Sequence, residues 1–269
     1  MLLHAERRGR GPTVVLLHGF TGSTRVWREV EPLLAPYVEL VAVDLRCHGS
    51  SPGPPFPDDD TFSAIADDVW ETLNALHVPL PVAVVGHSLG GAAAIDMVLA
   101  QPGAVRALAL VEPMDWGRAS DPSRVAFMER CIATARGGGM TALADWLEQQ
   151  DAAGDAAQQQ ERAERRAGLL DMTPDGYEWM MRAALTWDGR LDRIASIEAR
   201  TTFWVGEPDF FNRRATVHGY VQRAAREAGA QIISWPAGHM PQLETPLDFA
   251  QFVAISALGR LLPELLPPR

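Results

Sequence analysis

Lysine is absent from this chain: all 24 basic residues are arginine, set against 34 acidic ones, for a formal net charge of −10. An acidic balance without a basic run offers no stripe for phosphates, so nucleic acid is not an expected partner. Cysteine is almost absent as well. Cys47 and Cys131 stand far apart without metal-ligand spacing, which argues against a disulfide framework and a cysteine metal site, and fits a reduced cytoplasmic protein. No run of 18 apolar residues occurs, so no membrane insertion is expected. The first eleven residues reach Arg7, Arg8 and Arg10 without the apolar core of a secretory signal.

What the chain does have is apolar residues, 47% of its 269, enough for one sizeable core. Short continuous runs rich in Val, Leu and Ala suit strands buried on both faces: Thr13 to Leu17, Val38 to Val43, Val82 to Val85, Val105 to Val111, Thr201 to Val205 and Gln231 to Trp235. Helical stretches at Thr61 to Leu76, Leu89 to Gln101, Arg213 to Ala228 and Pro246 to Leu262 separate most of them. The alternation predicts an α/β fold with a mostly parallel sheet flanked by helices. Leu2 to Glu6 is expected to add an antiparallel edge strand. One interval breaks the rhythm, because residues 114–190 carry helical patterns and no strand. They read as an inserted helical cap on a core made of 1–113 and 191–269, with a break between cap helices at Arg136 to Gly139. Ser51 to Asp60 reads as a surface loop.

Gly86-His87-Ser88-Leu89-Gly90 matches G-x-S-x-G between a predicted strand and a predicted helix. That context lets the glycines form a sharp turn that lifts the Ser88 hydroxyl off the sheet, with helix N–H groups aimed at developing negative charge. A serine needs a base. His239, in Pro236-Ala237-Gly238-His239-Met240, follows the last predicted strand and is the candidate among seven histidines. A carboxylate between them in chain order must orient the imidazole. Asp209, in Val205-Gly206-Glu207-Pro208-Asp209, fits best, with Glu207 as a nearer neighbour and Glu112 at the end of an earlier strand as the alternative. The oxyanion donors would be the backbone N–H groups of Leu89 and of Phe20 in His18-Gly19-Phe20. His18 reads as a structural hydrogen-bonding residue, and Asp44 and Arg46 as an ion pair bracing their own loop.

In order, Leu17-His18-Gly19-Phe20, Asp44 to Ser51, Gly86 to Gly91, Gly206 to Asp209 and Gly238-His239 resemble the motifs of the α/β-hydrolase superfamily. The resemblance implies the α/β-hydrolase fold, a lid over the nucleophile, no cofactor and no metal, and acyl-enzyme chemistry on a small-molecule ester or related substrate. Cys47 departs from the pattern, which usually has glycine there. Phe20-Thr21-Gly22-Ser23 and Trp27 also look like the menaquinone-pathway lyases of this fold, but Ala92 stands where those have a carboxylate-gripping arginine. A ligand receptor that kept the triad is a further alternative. Aspartate-based epoxide hydrolases and dehalogenases are excluded by serine at position 88.

Trp and Met in the cap suggest an adaptable apolar pocket, for which Trp116, Trp146 and Trp187 are the candidate substrate contacts. An apolar or aromatic acyl ester, or a lactone, is the expected substrate. Arg118, Arg124 and Arg182 are the cap arginines that could instead hold a carboxylate.

Overall fold

Strands of the described residues form one seven-stranded sheet in the computed structural model, which describes residues 1–56, 61–114, 122–150, 156–190, 193–206 and 215–262, with backbone alone at 156–158 and 215–218. The strands are β1 (Ala5–Gly9), β2 (Thr13–Leu17), β3 (Glu39–Val43), β4 (Val82–His87), β5 (Val105–Val111), β6 (Arg200–Val205) and β7 (Gln231–Ser234). Their spatial order is β1-β3-β2-β4-β5-β6-β7; β1 is antiparallel to β3 and every other pairing is parallel. The edge strand runs later than the expected Leu2 to Glu6. Leu3 is buried instead, its amide donating to Thr72 Oγ1 at 2.9 Å. The polar residues that follow make an edge stabilised by charge, with Arg7 on Glu39 and Arg8 on Glu31.

The helices are α1 (Glu31–Leu34), α2 (Ala64–Ala75), α3 (Leu89–Ala100), α4 (Pro122–Gln150), α5 (Ala156–Asp171), α6 (Pro174–Thr186), α7 (Ala215–Glu227), α8 (Pro241–Glu244) and α9 (Pro246–Leu258). Continuous apolar strands are explained by a sheet covered on both sides, because alternate side chains point to opposite faces. Val15 and Leu17 of β2 join Val41, Val84 and Leu108 beneath α2, α3 and α7. Val14 and Leu16 join Leu40, Val85 and Trp204 beneath α1 and α9. Each fully buried side chain of this size contributes roughly 1.5–3 kcal/mol.

Helices α4 to α6 form the insertion between β5 and β6, with an apolar cluster of their own that includes Met128, Cys131, Leu143, Leu169, Tyr177 and Met181. Much of the Met expected at a pocket therefore also packs helix on helix. The backbone of α4 breaks at Gly139, where φ is 77°, inside the break expected from the sequence. Arg46 ties the core to the insertion. It pairs with Asp68 at 2.6 Å rather than with Asp44, and its guanidinium lies over the rings of Phe56 and Trp179 at 4.6 and 4.9 Å. Asp44 instead accepts the amides of Thr24 and Ser50, so the expected internal pair is replaced by two separate braces.

Candidate active site

Ser88 occupies the turn between β4 and α3 with φ 49° and ψ −114°, a conformation that costs a non-glycine residue about 1–3 kcal/mol. Backbone bonds over-determine it. Its N–H donates to Val111 O at 2.9 Å, while its carbonyl accepts from Gly91 at 2.9 Å and Met114 at 3.0 Å. The turn also needs close approach of helix to sheet: a side-chain carbon on Gly90 would stand 2.4 Å from Leu17 O. The glycines of the motif thus seat the start of α3 directly on the end of β2, and Leu89 becomes its first residue.

The loop after β2 lies against this turn, since a side-chain carbon on Gly19 would stand 3.1 Å from Ser88 Cβ. Two buried histidines hold that loop. His18 donates from Nδ1 to Gly19 O at 2.8 Å and accepts the Leu45 amide at Nε2 at 3.0 Å. His48 donates from Nδ1 to Arg46 O at 2.9 Å and accepts the Thr21 amide at Nε2 at 3.1 Å. Each ring gives one bond and takes one, so each is a neutral imidazole. Burial enforces this, pushing His18 down to about 4 and His48 down to about 3. His18 is the hydrogen-bonding residue that the sequence suggests.

His239 follows β7 and lines the same cavity as Ser88. Enclosure pushes its imidazole down to about 4, with the Arg165 charge adding to the effect. Its ring lies 4.8 Å from that of His87, and its carbonyl accepts from His87 Nε2 at 2.7 Å. Of the candidate acids, Asp209 and Glu207 lie outside the described residues. Glu112 directly follows β5 at φ 44°, is 3% exposed, and accepts the Gly206 amide through Oε1, while its own amide donates to Trp204 O at 3.1 Å. Its carboxylate therefore braces the end of β6, ahead of the segment that carries Asp209.

Residues 14–252 match the alpha/beta hydrolase family. The chain belongs to that family. It is similar to a pimeloyl-(acyl-carrier protein) methyl ester esterase of Chromobacterium violaceum, 43% identical over 111 residues that make up 41% of this chain and 41% of the relative, so the match spans well under half of that protein. Among solved structures it is similar to a hydrolase from Pseudomonas aeruginosa, 25% identical with a TM-score of 0.79, covering 95% of this chain and 94% of that one. The enol-lactonase from Burkholderia xenovorans shares the fold at a TM-score of 0.80 and 20% identity, over 96% of both chains.

In this alpha/beta hydrolase the cavity over Ser88 and His239 measures about 470 Å³, and its apolar wall comes from Phe127, Met128, Leu147, Leu169 and Met181. Two of the three tryptophans expected there are placed otherwise. Trp187 is 1% exposed in the main core, its Nε1 donating to Asp96 at 3.3 Å. Trp146 stands behind Phe127 at 5.5 Å, with Arg130 over its face. Trp116 lies outside the described residues. The indoles of Trp187 and Trp146 are spent on packing, which leaves the wall to Met, Leu and Phe.

Arginines are sorted in the same way. Arg182 is bound to Glu129 and Glu178, whereas Arg124 and Arg165 line the cavity together with Glu161 and Glu164; Arg118 is not among the described residues. Cys47 has φ 68°, which explains why glycine is usual there, and burial pushes its thiol up to about 12. Ala92 is fully buried in α3. Reading the sequence missed His87, Arg165 and Tyr177 at the cavity. His87 sits inside Gly86 to Gly90, yet the motif leaves its position open, so spacing assigns it nothing. No helix among the described residues is long and apolar enough to cross a membrane.

Proposed function

We propose that this protein is a serine hydrolase that cleaves a carboxylic ester or lactone with an apolar acyl or aromatic group. The observation that carries the reading is Ser88, held at φ 49° at the start of α3 in the cavity that His239 also lines. A strained serine at a helix N-terminus beside a neutral imidazole is arranged for nucleophilic attack. In the first step Ser88 Oγ bonds to the carbonyl carbon while His239 takes the hydroxyl proton; the tetrahedral oxyanion is met by the N–H groups of Phe20 and Leu89. Collapse expels the alcohol, which leaves with the proton from His239. Water then attacks the acyl-enzyme by the same route and releases the acid. Asp209 holds the imidazole in its tautomer and offsets its transient charge.

The apolar wall and the 470 Å³ volume suit a medium-sized uncharged acyl group. The relationship to an esterase that acts on a methyl ester supports the same bond type. A second reading rests on Arg124 and Arg165 at the cavity: a substrate carboxylate held there would fit a carbon–carbon hydrolase or lyase of this fold. A turnover screen over p-nitrophenyl esters of increasing acyl length, lactones, an amide and dicarboxylate analogues separates the two. The ester reading expects the highest kcat/KM on neutral apolar esters. Preference for dicarboxylates with the ester series untouched would favour the second reading.

A further inference from the structure

The segment that carries His239 is short of internal support. It lies between the four-residue strand β7 and the four-residue helix α8, and β7 is largely exposed at the sheet edge. A general base must nevertheless keep its position to within about 0.5 Å, because misplacement by about 1 Å costs on the order of 10²-fold in rate. Beyond the backbone bonds of Trp235 and Ala237, two side chains outside the segment hold it.

Glu244, at the end of α8, turns its carboxylate back onto the loop. Oε2 accepts the amide of Gly238 at 2.7 Å and Oε1 accepts the amide of Met240 at 3.0 Å, so one carboxylate grips the peptide N–H on each side of His239. From the opposite direction His87, the residue before Ser88, donates from Nε2 to the carbonyl of His239 at 2.7 Å. The His87 ring is 2% exposed and packs against Gly19, where a side-chain carbon would come within 2.8 Å of Nδ1. One imidazole thus touches the nucleophile turn by covalent succession, the oxyanion loop by packing and the base by a hydrogen bond.

We infer that His87 and Glu244 are positioning residues that clamp the backbone of His239, from its carbonyl on one side and its flanking amides on the other, and so fix the base relative to Ser88. The inference rests on the serine-hydrolase reading above. Bonds to an ionised carboxylate are roughly twice as strong as neutral ones, which suits Glu244 to holding the loop. His87 can donate from Nε2 only with that nitrogen protonated, and burial pushes the ring down to about 3, so it keeps this single neutral form across the working pH range. Among the described residues, the charged and titratable groups facing His239 include His87 from β4, Arg165 from α5 and Glu244 from α8. Loosening the loop would admit water to an imidazole held down mainly by enclosure, and its pKa would rise toward the ordinary 6.5.

The test compares His87→Met with His87→Gln, which share length but differ in the donor, alongside Glu244→Gln. Each is assayed for thermal midpoint, kcat, KM and the acid limb of kcat/KM on one p-nitrophenyl ester. The expected result is a loss of about 10- to 100-fold in kcat for His87→Met with KM within about twofold. Its acid limb should move upward, and His87→Gln should recover to within about threefold of the parent. Glu244→Gln, which keeps one acceptor and opposes an N–H with another donor, should lose about tenfold and show the same upward movement. It carries the test alone if His87→Met does not fold. Met and Gln at position 87 giving equal kcat and an unmoved acid limb, with Glu244→Gln at parental rate, would overturn the clamp even while the parent protein acylates at Ser88. A parent protein that takes up no serine-directed phosphonate would overturn the serine reading and the clamp with it.

Discussion

The Nε2 of His48 accepts the backbone amide of Thr21 at 3.1 Å, across a gap of 27 residues in sequence, and Thr21 stands at φ 62°. A β-branched residue in the left-handed region is a genuine outlier that persists only where its surroundings hold it. Thr21 directly follows Phe20, one of the two proposed oxyanion donors, so His48 holds the peptide next to the one that carries that donor.

Replacing His48 with Leu should therefore lower kcat by about 10- to 100-fold with little change in KM, because the oxyanion forms only in the transition state. Stability should fall by about 1–3 kcal/mol, since the Thr21 amide and the Arg46 carbonyl lose their buried partner. Steady-state kinetics beside urea unfolding measures both. Unchanged kcat in a folded variant would remove the oxyanion loop from the mechanism.

Acid should act on this protein through histidines. His18 and His239 sit at about 4, and His48 and His87 at about 3, all below the ordinary 6.5. Their native forms refuse protons that the unfolded chain takes up, so the stability they contribute is complete above pH 6.5 and is lost as pH falls toward 4 and 3. At pH 5 each accounts for about 2 kcal/mol of that loss. Urea midpoints should thus be level between pH 7 and 8 and fall steeply between pH 6 and 5. The rate follows the same sign, because only neutral His239 accepts the serine proton: kcat/KM should be flat above pH 6.5, with its acid limb below that value. A half-maximal point above pH 6.5 would contradict the enclosed base.

The two carboxylates separate by role. Asp209→Asn should lower kcat by about 10⁴, because the amide favours the wrong histidine tautomer. Glu112→Gln should cost far less in kcat and more in stability, because Glu112 serves the Gly206 amide at the end of β6. Paired kinetics and thermal midpoints of the two variants decide it. A nearly inactive, well-folded Glu112→Gln beside a mild Asp209→Asn would move the acid to the end of β5.

Much of this was legible in the sequence, for physical reasons that differ from residue to residue. Val14 to Leu17 and Val82 to Val85 reveal buried strands because both faces of the sheet are covered, and no polar residue interrupts them. Ser88 is legible because only small residues at 86 and 90 admit its turn. The lining of the cavity was not. Helical spacing places Trp146, Trp187, Met128 and Phe127 in one insertion but cannot say which of them packs inward, and the structure turns Trp187 into the core and Phe127 to the cavity. The partner of Arg46 was missed for a related reason. Asp44 is two residues away in sequence, yet both its oxygens are taken by the amides of Thr24 and Ser50, and Arg46 pairs instead with Oδ2 of Asp68, whose Oδ1 holds the N-terminal amine of Met1. The contact of His87 with His239, 152 residues apart, leaves no periodic trace at all, and neither does the turn of Glu244 back onto the amides of Gly238 and Met240.

The central claim is that Ser88 becomes covalently acylated, and intact-mass analysis after treatment with a serine-directed organophosphonate tests it most directly. The account predicts a single adduct on the parent protein, mapped to Ser88, that blocks ester turnover in proportion to labelling, and no adduct on a folded Ser88→Ala variant whose kcat is lower by about 10⁴ to 10⁶. An adduct on another residue, or a Ser88→Ala variant that keeps more than about a tenth of parental turnover, would contradict it.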